Sequence, residues 1–103
     1  MSKRLAYLEK ITSEGSTDPF AWYGLALEYK TLGRVEDALR TFEALRAKNP
    51  DYVPMYLMCG QMLADAGNAK AREWLEAGVA TARAKKDSHA LGELEAALDQ
   101  LTS

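Results

Sequence analysis

Large apolar residues recur every three to four positions along two adjoining stretches of the chain. The first stretch carries Trp22, Leu25, Tyr29 and Leu32, and the second carries Val35, Leu39, Phe42 and Leu45. This spacing is typical of amphipathic helices, and Gly33 interrupts it once. Two such helices joined by a glycine turn hide their apolar sides by folding against each other. The pattern therefore predicts an antiparallel helical hairpin over residues 18–50.

Cap and turn residues indicate where these two helices begin and end. Asp18 is suited to accept hydrogen bonds from the first turn, and Pro19 fits there because its missing N–H is not needed. Gly33 favours the left-handed conformation that closes a helix at little cost. Glu36 and Asp37 favour a new helix start, because carboxylates are stabilised near the positive end of a helix dipole.

The same helical spacing continues on both sides of this hairpin. Residues 51–86 predict a second hairpin with Gly67 at its turn. Residues 3–13 and 87–102 predict single terminal helices, with apolar sides formed by Leu5, Leu8 and Ile11 in the first and by Leu91, Leu94, Leu98 and Leu101 in the second. The chain is therefore expected to be all-α, with about six helices.

The two predicted hairpins repeat each other in sequence. In their first helices the matching residues are 34 apart, as in Trp22/Tyr56, Leu25/Cys59, Ala26/Gly60, Tyr29/Leu63 and Gly33/Gly67. In their second helices the separation is 33, as in Ala38/Ala71, Phe42/Leu75 and Leu45/Gly78. A period of this length is the signature of stacked helical hairpins.

The first hairpin resembles the tetratricopeptide repeat. The residues that carry the resemblance are Trp22, Leu25, Ala26, Tyr29, Gly33, Ala38, Phe42 and Pro50. The second hairpin is similar, but it departs at Cys59, at Gly78 and in lacking the terminal proline. The chain thus resembles a small, bacterial-type protein of two repeats with terminal capping helices. The resemblance implies a right-handed superhelical stack of antiparallel hairpins, forming one domain over residues 1–103.

In this family the concave groove is lined by the first helix of each hairpin. The resemblance implies groove positions at Phe20, Tyr23, Leu27, Lys30 and Thr31 in the first repeat and at Pro54, Leu57, Met58, Gln61 and Asp65 in the second. Some members hold a peptide's C-terminal acid with a clamp of lysine, arginine and asparagine. Here most of these positions are apolar, so that clamp is absent.

An apolar groove of this size is expected to be covered by another molecule. Exposed apolar patches of this kind are larger than a monomer normally leaves in water, so we expect a protein partner's peptide or helix to bind there. Lys30, Gln61 and Asp65 would set its register at the edges. The alternatives are a homodimer through the same groove, and terminal helices that fold over it.

Three methionines follow one another at helical spacing in the second repeat. Methionine usually fills irregular gaps in a core, and we expect Met55 and Met62 to do so. Helix geometry instead places Met58 near the open side. Cys59 stands at a buried position of the repeat and lacks a basic neighbour, so we expect it to pack in the core rather than react.

An enzyme is the alternative from another functional class. His89 lies four residues before Glu93, so an acid–base or metal-binding pair is geometrically possible, but an exposed histidine in a terminal helix is the simpler interpretation. The sequence contains no phosphate-binding glycine loop, serine elbow, CxxC pair or HExxH motif. We therefore predict a non-enzymatic protein without cofactor or metal.

Composition narrows the expected partners and location. The net charge is −2, so the chain offers no strongly basic face for nucleic acid. Arg83, Lys85 and Lys86 form a small basic cluster. It could contact an acidic partner, but the simpler interpretation is that these side chains lie in water at the end of a helix. The start lacks the apolar core of a signal peptide, and no apolar run is long enough to cross a bilayer. The single cysteine fits a reducing cytoplasm, where we expect the protein to reside.

Replacing Ala38 by leucine tests the predicted contact between the helices of the first hairpin. The larger side chain should overpack that contact and lower the free energy of unfolding by about 1–3 kcal/mol. Urea denaturation of the wild type and Ala38→Leu measures the difference. Equal stabilities would show that residue 38 does not face the partner helix.

Overall fold

The computed structural model describes residues 3–102, which form six helices and no strand. The helices are α1 (Lys3–Ser13), α2 (Pro19–Thr31), α3 (Val35–Lys48), α4 (Pro54–Asp65), α5 (Lys70–Ala84) and α6 (Ser88–Thr102). The chain divides after Pro50 into two compact units, one with α1–α3 and one with α4–α6. The predicted all-α fold is confirmed. The assignment of one domain to residues 1–103 stays a prediction, and residues 1, 2 and 103 lie outside the described range.

In the first unit, α2 and α3 form the predicted hairpin around small residues. Ala26 and Ala38 have no exposed surface, so the two helices approach closely, and Phe42 and Leu45 fill the space beside them with no exposure of their own. One expectation is wrong. Leu32 was expected to belong to the buried side of α2, but it lies beyond the last helical residue and is 49% exposed.

Aromatic side chains join α2 to its neighbours on both sides. The Trp22 indole N–H donates to the carbonyl of Ser16 over 2.8 Å, and Lys48 Nζ lies 3.9 Å from the centre of the Trp22 ring. At the other end of α2, the Tyr29 hydroxyl donates to Glu9 of α1, and the Arg34 guanidinium lies 4.6 Å from the Tyr29 ring centre. These contacts fix α2 between α1 and α3.

In the second unit, α4 and α5 pack against each other at a glycine. A Cβ atom added to Gly60 would lie 2.4 Å from Leu75 Cδ2, so the side chain of Leu75 occupies the space that any larger residue would need. Cys59 and Leu63 have no exposed surface and complete the core of the hairpin with Tyr56, which is 2% exposed. The prediction that Cys59 packs in the core is confirmed.

Both α4 and α6 pack against Gly78 of α5. A Cβ atom at this position would lie 2.6 Å from Tyr56 Cβ and 2.7 Å from Leu94 Cδ2. Leu94 belongs to α6 and has no exposed surface. Glycine stands here, where the tetratricopeptide pattern usually has alanine, because two other helices press on the same point.

Four helix ends close in the same way, through a residue in the left-handed conformation. That residue is Gly15, Gly33, Gly67 or Lys86, with φ of 92°, 77°, 70° and 58° respectively. The next residue's N–H then donates to a carbonyl five residues back, as from Arg34 to Tyr29 over 2.9 Å and from Asp87 to Ala82 over 2.9 Å. The glycines are the expected terminators, whereas a lysine in this conformation is uncommon.

The predicted start of α2 is confirmed, because Asp18 Oδ1 accepts from the N–H of Phe20 over 2.9 Å. Side chains also accept from backbone N–H groups at two later helix starts. Asn68 Oδ1 accepts from the N–H of Lys70 over 2.8 Å at the start of α5, and Asp87 Oδ1 accepts from the N–H of Ala90 over 3.1 Å at the start of α6.

The start of α3 carries an ion pair rather than a side-chain cap. Asp37 accepts from Arg34 Nε over 2.8 Å and is also paired with Arg40. The hydrogen bond from Arg34 holds the pKa of the Asp37 carboxyl below its usual value. Since Arg34 also lies over the Tyr29 ring, this one side chain links both ends of the α2–α3 turn.

The same substitution at two helical glycines should have opposite effects on stability. Gly78→Ala brings a methyl group against Tyr56 and Leu94 and should lower the free energy of unfolding by about 1–3 kcal/mol. Gly92→Ala on α6 meets nothing within 4 Å and should raise it by up to about 1 kcal/mol, because alanine favours helix over glycine. Urea denaturation measures both variants. Equal changes would contradict the packing described at Gly78.

High pH should weaken the fold through Tyr29. Burial, with the hydrogen bond to Glu9, raises the pKa of Tyr29 to about 12. In the unfolded chain the pKa of tyrosine is about 10. The stabilisation of the fold by the protonated Tyr29 hydroxyl is therefore complete below about pH 10 and is lost as the pH rises towards about 12. Denaturation across this range should show a steeper loss of stability in the wild type than in Tyr29→Phe. Parallel pH profiles would rule out this role for Tyr29.

Candidate functional site

The outer side of α2 carries a stripe of accessible residues, here called the α2 stripe. It consists of Phe20, Tyr23, Leu27, Lys30 and Thr31. Their spacing of three and four places them on one side of the helix, while the buried residues Leu25 and Ala26 lie on another. Phe20 is 63% exposed, Thr31 is exposed, and the three residues between them are half-buried. This side of α2 therefore offers mostly apolar surface to water.

The inner side of α2 makes the α2 stripe a rigid surface. Trp22 and Tyr29 are both held by polar contacts to other parts of the first unit, at opposite ends of the helix. Asp18 caps the first turn through the N–H of Phe20 itself. A rigid helix loses little conformational freedom when another molecule binds to it, which favours affinity.

The outer side of α4 carries the corresponding set, here called the α4 stripe. It consists of Pro54, Leu57, Met58, Gln61 and Asp65. Leu57 and Met58 are half-buried, and the other three are exposed. Met55 has no exposed surface and Met62 is 4% exposed, so their predicted place in the core is confirmed. The place of Met58 on the open side stays a prediction.

The two stripes end in opposite charges. Lys30 lies in the last turn of α2, where a cation is favoured by the helix dipole, and Asp65 is the last residue of α4, where an anion is disfavoured. Within residues 3–102 neither side chain forms an ion pair. Both charges are therefore available to a binding molecule. That these eight sequence-predicted residues line one groove stays a prediction: Phe20, Tyr23, Leu27, Lys30, Leu57, Met58, Gln61 and Asp65.

One exposed aromatic residue was not anticipated from the sequence. Tyr7 on α1 is 62% exposed, about as much as Phe20. Its position outside the Leu5, Leu8 and Ile11 pattern is the signal that could have identified it. It lies on a different helix from both stripes.

The possible catalytic pair lies in water on α6. His89 Nε2 is 3.4 Å from Glu93 Oε1, and the His89 side chain is 89% exposed. Across residues 3–102, no group of three or more histidine, cysteine, aspartate and glutamate side chains is placed to hold a metal ion. The structure brings His89 and Glu93 together but adds no third side chain of these types as a further ligand.

The basic cluster near the end of α5 is largely neutralised. Arg83 pairs with Glu95 over 3.5 Å, and Lys85 pairs with Asp51 over 3.6 Å. The described helices also include none that is both long and apolar enough to span a bilayer.

Known proteins with the same architecture place this chain in a family. The tetratricopeptide repeat family model matches residues 19–62. The solution structure of a protein from Bordetella parapertussis is similar with a TM-score of 0.83 and 25% identity, over 99% of this chain and 90% of that one. No curated protein matches the chain.

A tetratricopeptide repeat domain protein from Salinibacter ruber is similar in a solution structure and in a crystal structure. Its solution structure matches with a TM-score of 0.75 and 31% identity, over 81% of this chain and 85% of that one. Its crystal structure matches with a TM-score of 0.73 and 31% identity, over 81% and 93%. With this identity over most of its length, and with the repeat visible in its own sequence, the chain belongs to the tetratricopeptide repeat family.

Proposed function

We propose that this protein is a non-enzymatic protein-interaction module whose α2 stripe and α4 stripe bind an apolar peptide or helix of a protein partner. Membership of the tetratricopeptide repeat family supports protein–protein interaction as its general role. The exposure of Phe20, a large aromatic side chain that is 63% accessible to water, is the observation that carries the assignment of the surface.

Phe20, Tyr23 and Leu27 have the features of an anchor site on the first unit. They occupy positions i, i+3 and i+7 of one helix and rest on a fixed inner side. Aromatic residues on a preorganised surface commonly supply most of the affinity of an interface. Covering the exposed part of such a ring contributes on the order of 1 kcal/mol through removal of apolar surface from water.

On the second unit the α4 stripe supplies an adaptable surface. Leu57 and Met58 offer partly accessible apolar side chains. Methionine is unbranched and polarisable, so it adjusts to partners of different shape. Gln61 follows one turn later and provides hydrogen-bonding groups at the edge.

The charged ends of the stripes define which partners fit. Lys30 favours an acidic group in a molecule that contacts the α2 stripe, and Asp65 favours a basic group in a molecule that contacts the α4 stripe. Each exposed pair contributes only about 0–1 kcal/mol, so these charges set register and discriminate between partners more than they add affinity. The net charge of −2 disfavours nucleic acid as a ligand, and we place the protein in the cytoplasm without cofactor or metal.

A second copy of the same chain is the other candidate occupant. Phe20 is as well placed to be covered in a homodimer as by a foreign segment. Light scattering after gel filtration distinguishes the two, since a self-assembling scaffold shows a mass that rises with concentration. A constant monomer mass would exclude the homodimer.

Truncating one anchor in each stripe should remove partner binding without unfolding the protein. Tyr23→Ala combined with Leu57→Ala should weaken partner capture by about tenfold or more, because buried anchor residues dominate interface energies. Affinity capture from cell extract, quantified against the wild type, measures the loss. Tyr7→Ala is the control, since it removes the same type of side chain from α1, outside both stripes.

Circular dichroism must show that the double variant keeps its helices. Retention of the same proteins by wild type and double variant would contradict the assignment of these stripes as the binding surface. Loss of the same proteins from Tyr7→Ala would move the site to α1.

A further inference from the structure

Helix α4 carries a cluster of sulfur-containing side chains that differ in their access to water. Met55 and Cys59 have no exposed surface, Met62 is 4% exposed, and Met58 is half-buried. A dissolved oxidant must touch the sulfur atom to react with it, so a fully buried side chain reacts only when the structure opens. Among the sulfur-containing residues of α4, Met58 is therefore the one that an oxidant reaches in the folded chain.

The position of Met58 along α4 accounts for this access. Pro54 lies four residues before it, Gln61 three residues after it and Asp65 seven residues after it, so the four side chains share one side of the helix. Pro54, Gln61 and Asp65 are all exposed. Met58 thus lies along a side of α4 that is open to water over its whole length.

Oxidation of Met58 by a peroxide requires no other group of the protein. The sulfur atom donates a lone pair to one oxygen of hydrogen peroxide, and an S–O bond forms as the O–O bond breaks. The departing hydroxide takes the proton from the transferred oxygen and leaves as water. The thioether is thereby oxidised to a sulfoxide, and the peroxide is reduced. The product is a polar side chain with a strong hydrogen-bond acceptor in place of an apolar one.

The fold tolerates such an oxygen at Met58 but not at the buried methionines. At Met55 or Met62 the new acceptor would be removed from water inside the core, which costs free energy unless a donor is present. At Met58 water can donate to the sulfoxide oxygen. Oxidation at this one position therefore changes the surface of α4 and leaves the core intact.

We propose that Met58 is a site of oxidation by peroxides, and that its sulfoxide makes the α4 stripe polar while the protein stays folded. An apolar segment bound there would leave the sulfoxide oxygen without a hydrogen bond, so oxidation weakens the binding. This effect on binding rests on the proposed function, whereas the selective oxidation of Met58 does not.

Mass spectrometry after brief exposure of the folded protein to hydrogen peroxide tests the selectivity. Fragment spectra of the tryptic peptide of residues 49–70 assign the added oxygen to Met55, Met58 or Met62. Met58 should be oxidised about tenfold or more faster than the other two, because their reaction requires opening of the structure. In concentrated urea the three rates should become similar. Equal rates in the folded protein, or the same preference in urea, would overturn the proposal.

Chromatography on an apolar resin under native conditions tests the change of surface without any partner. The oxidised wild type should be retained less strongly than the reduced wild type. Met58→Leu is the matched control, because it keeps an apolar side chain at this position and every other methionine of the chain. The same peroxide treatment should leave its retention unchanged. An equal loss of retention in Met58→Leu, or loss of helical circular dichroism in the oxidised wild type, would contradict the proposal.

Capture of partner proteins separates this inference from the proposed function. Oxidation should lower capture by the wild type about tenfold and leave capture by Met58→Leu unchanged, because burying an unpaired acceptor is costly. If oxidation leaves capture by the wild type unchanged while Tyr23→Ala with Leu57→Ala removes it, the effect of the sulfoxide on binding is overturned. If neither change affects capture, the proposed function is overturned instead, and the oxidation rates still decide the selectivity of Met58.

Discussion

Close approach of paired helices at positions with little or no side chain is the constraint on which the rest of this structure depends. Ala26 and Ala38 allow it in the first hairpin, and Gly60 and Gly78 allow it in the second unit. At Gly60 and Gly78 even one methyl group has no room without movement of a neighbour. The larger side chains then pack around these contacts, and the inner sides of α2 and α4 are thereby fixed.

The close contacts also determine which surfaces remain for function. Because each first helix is held through its inner side, its outer side keeps residues that the core does not need, among them Phe20 and Met58. The depth of packing thus separates a durable framework from the surfaces available to partners.

The sequence was sufficient to predict the helices, their ends and most of the core, because period, capping residues and glycine turns are local signals. It also predicted that Met55 and Met62 lie in the core. It did not predict the exposure of Leu32, which depends on where the last helical turn stops, or the bond between Glu9 and Tyr29, which joins residues 20 positions apart. The need for glycine at position 78 likewise could not be predicted, because it depends on the contact with Leu94 of α6.

The left-handed conformation of Lys86 has a consequence for the position of α6. Glycine samples this conformation freely, so the turns at Gly33 and Gly67 cost the backbone little. Lysine rarely does, because its Cβ crowds the following carbonyl oxygen. The turn between α5 and α6 therefore has a weaker backbone preference than the glycine turns, and the contact of Leu94 with Gly78 contributes correspondingly more to holding α6 in place.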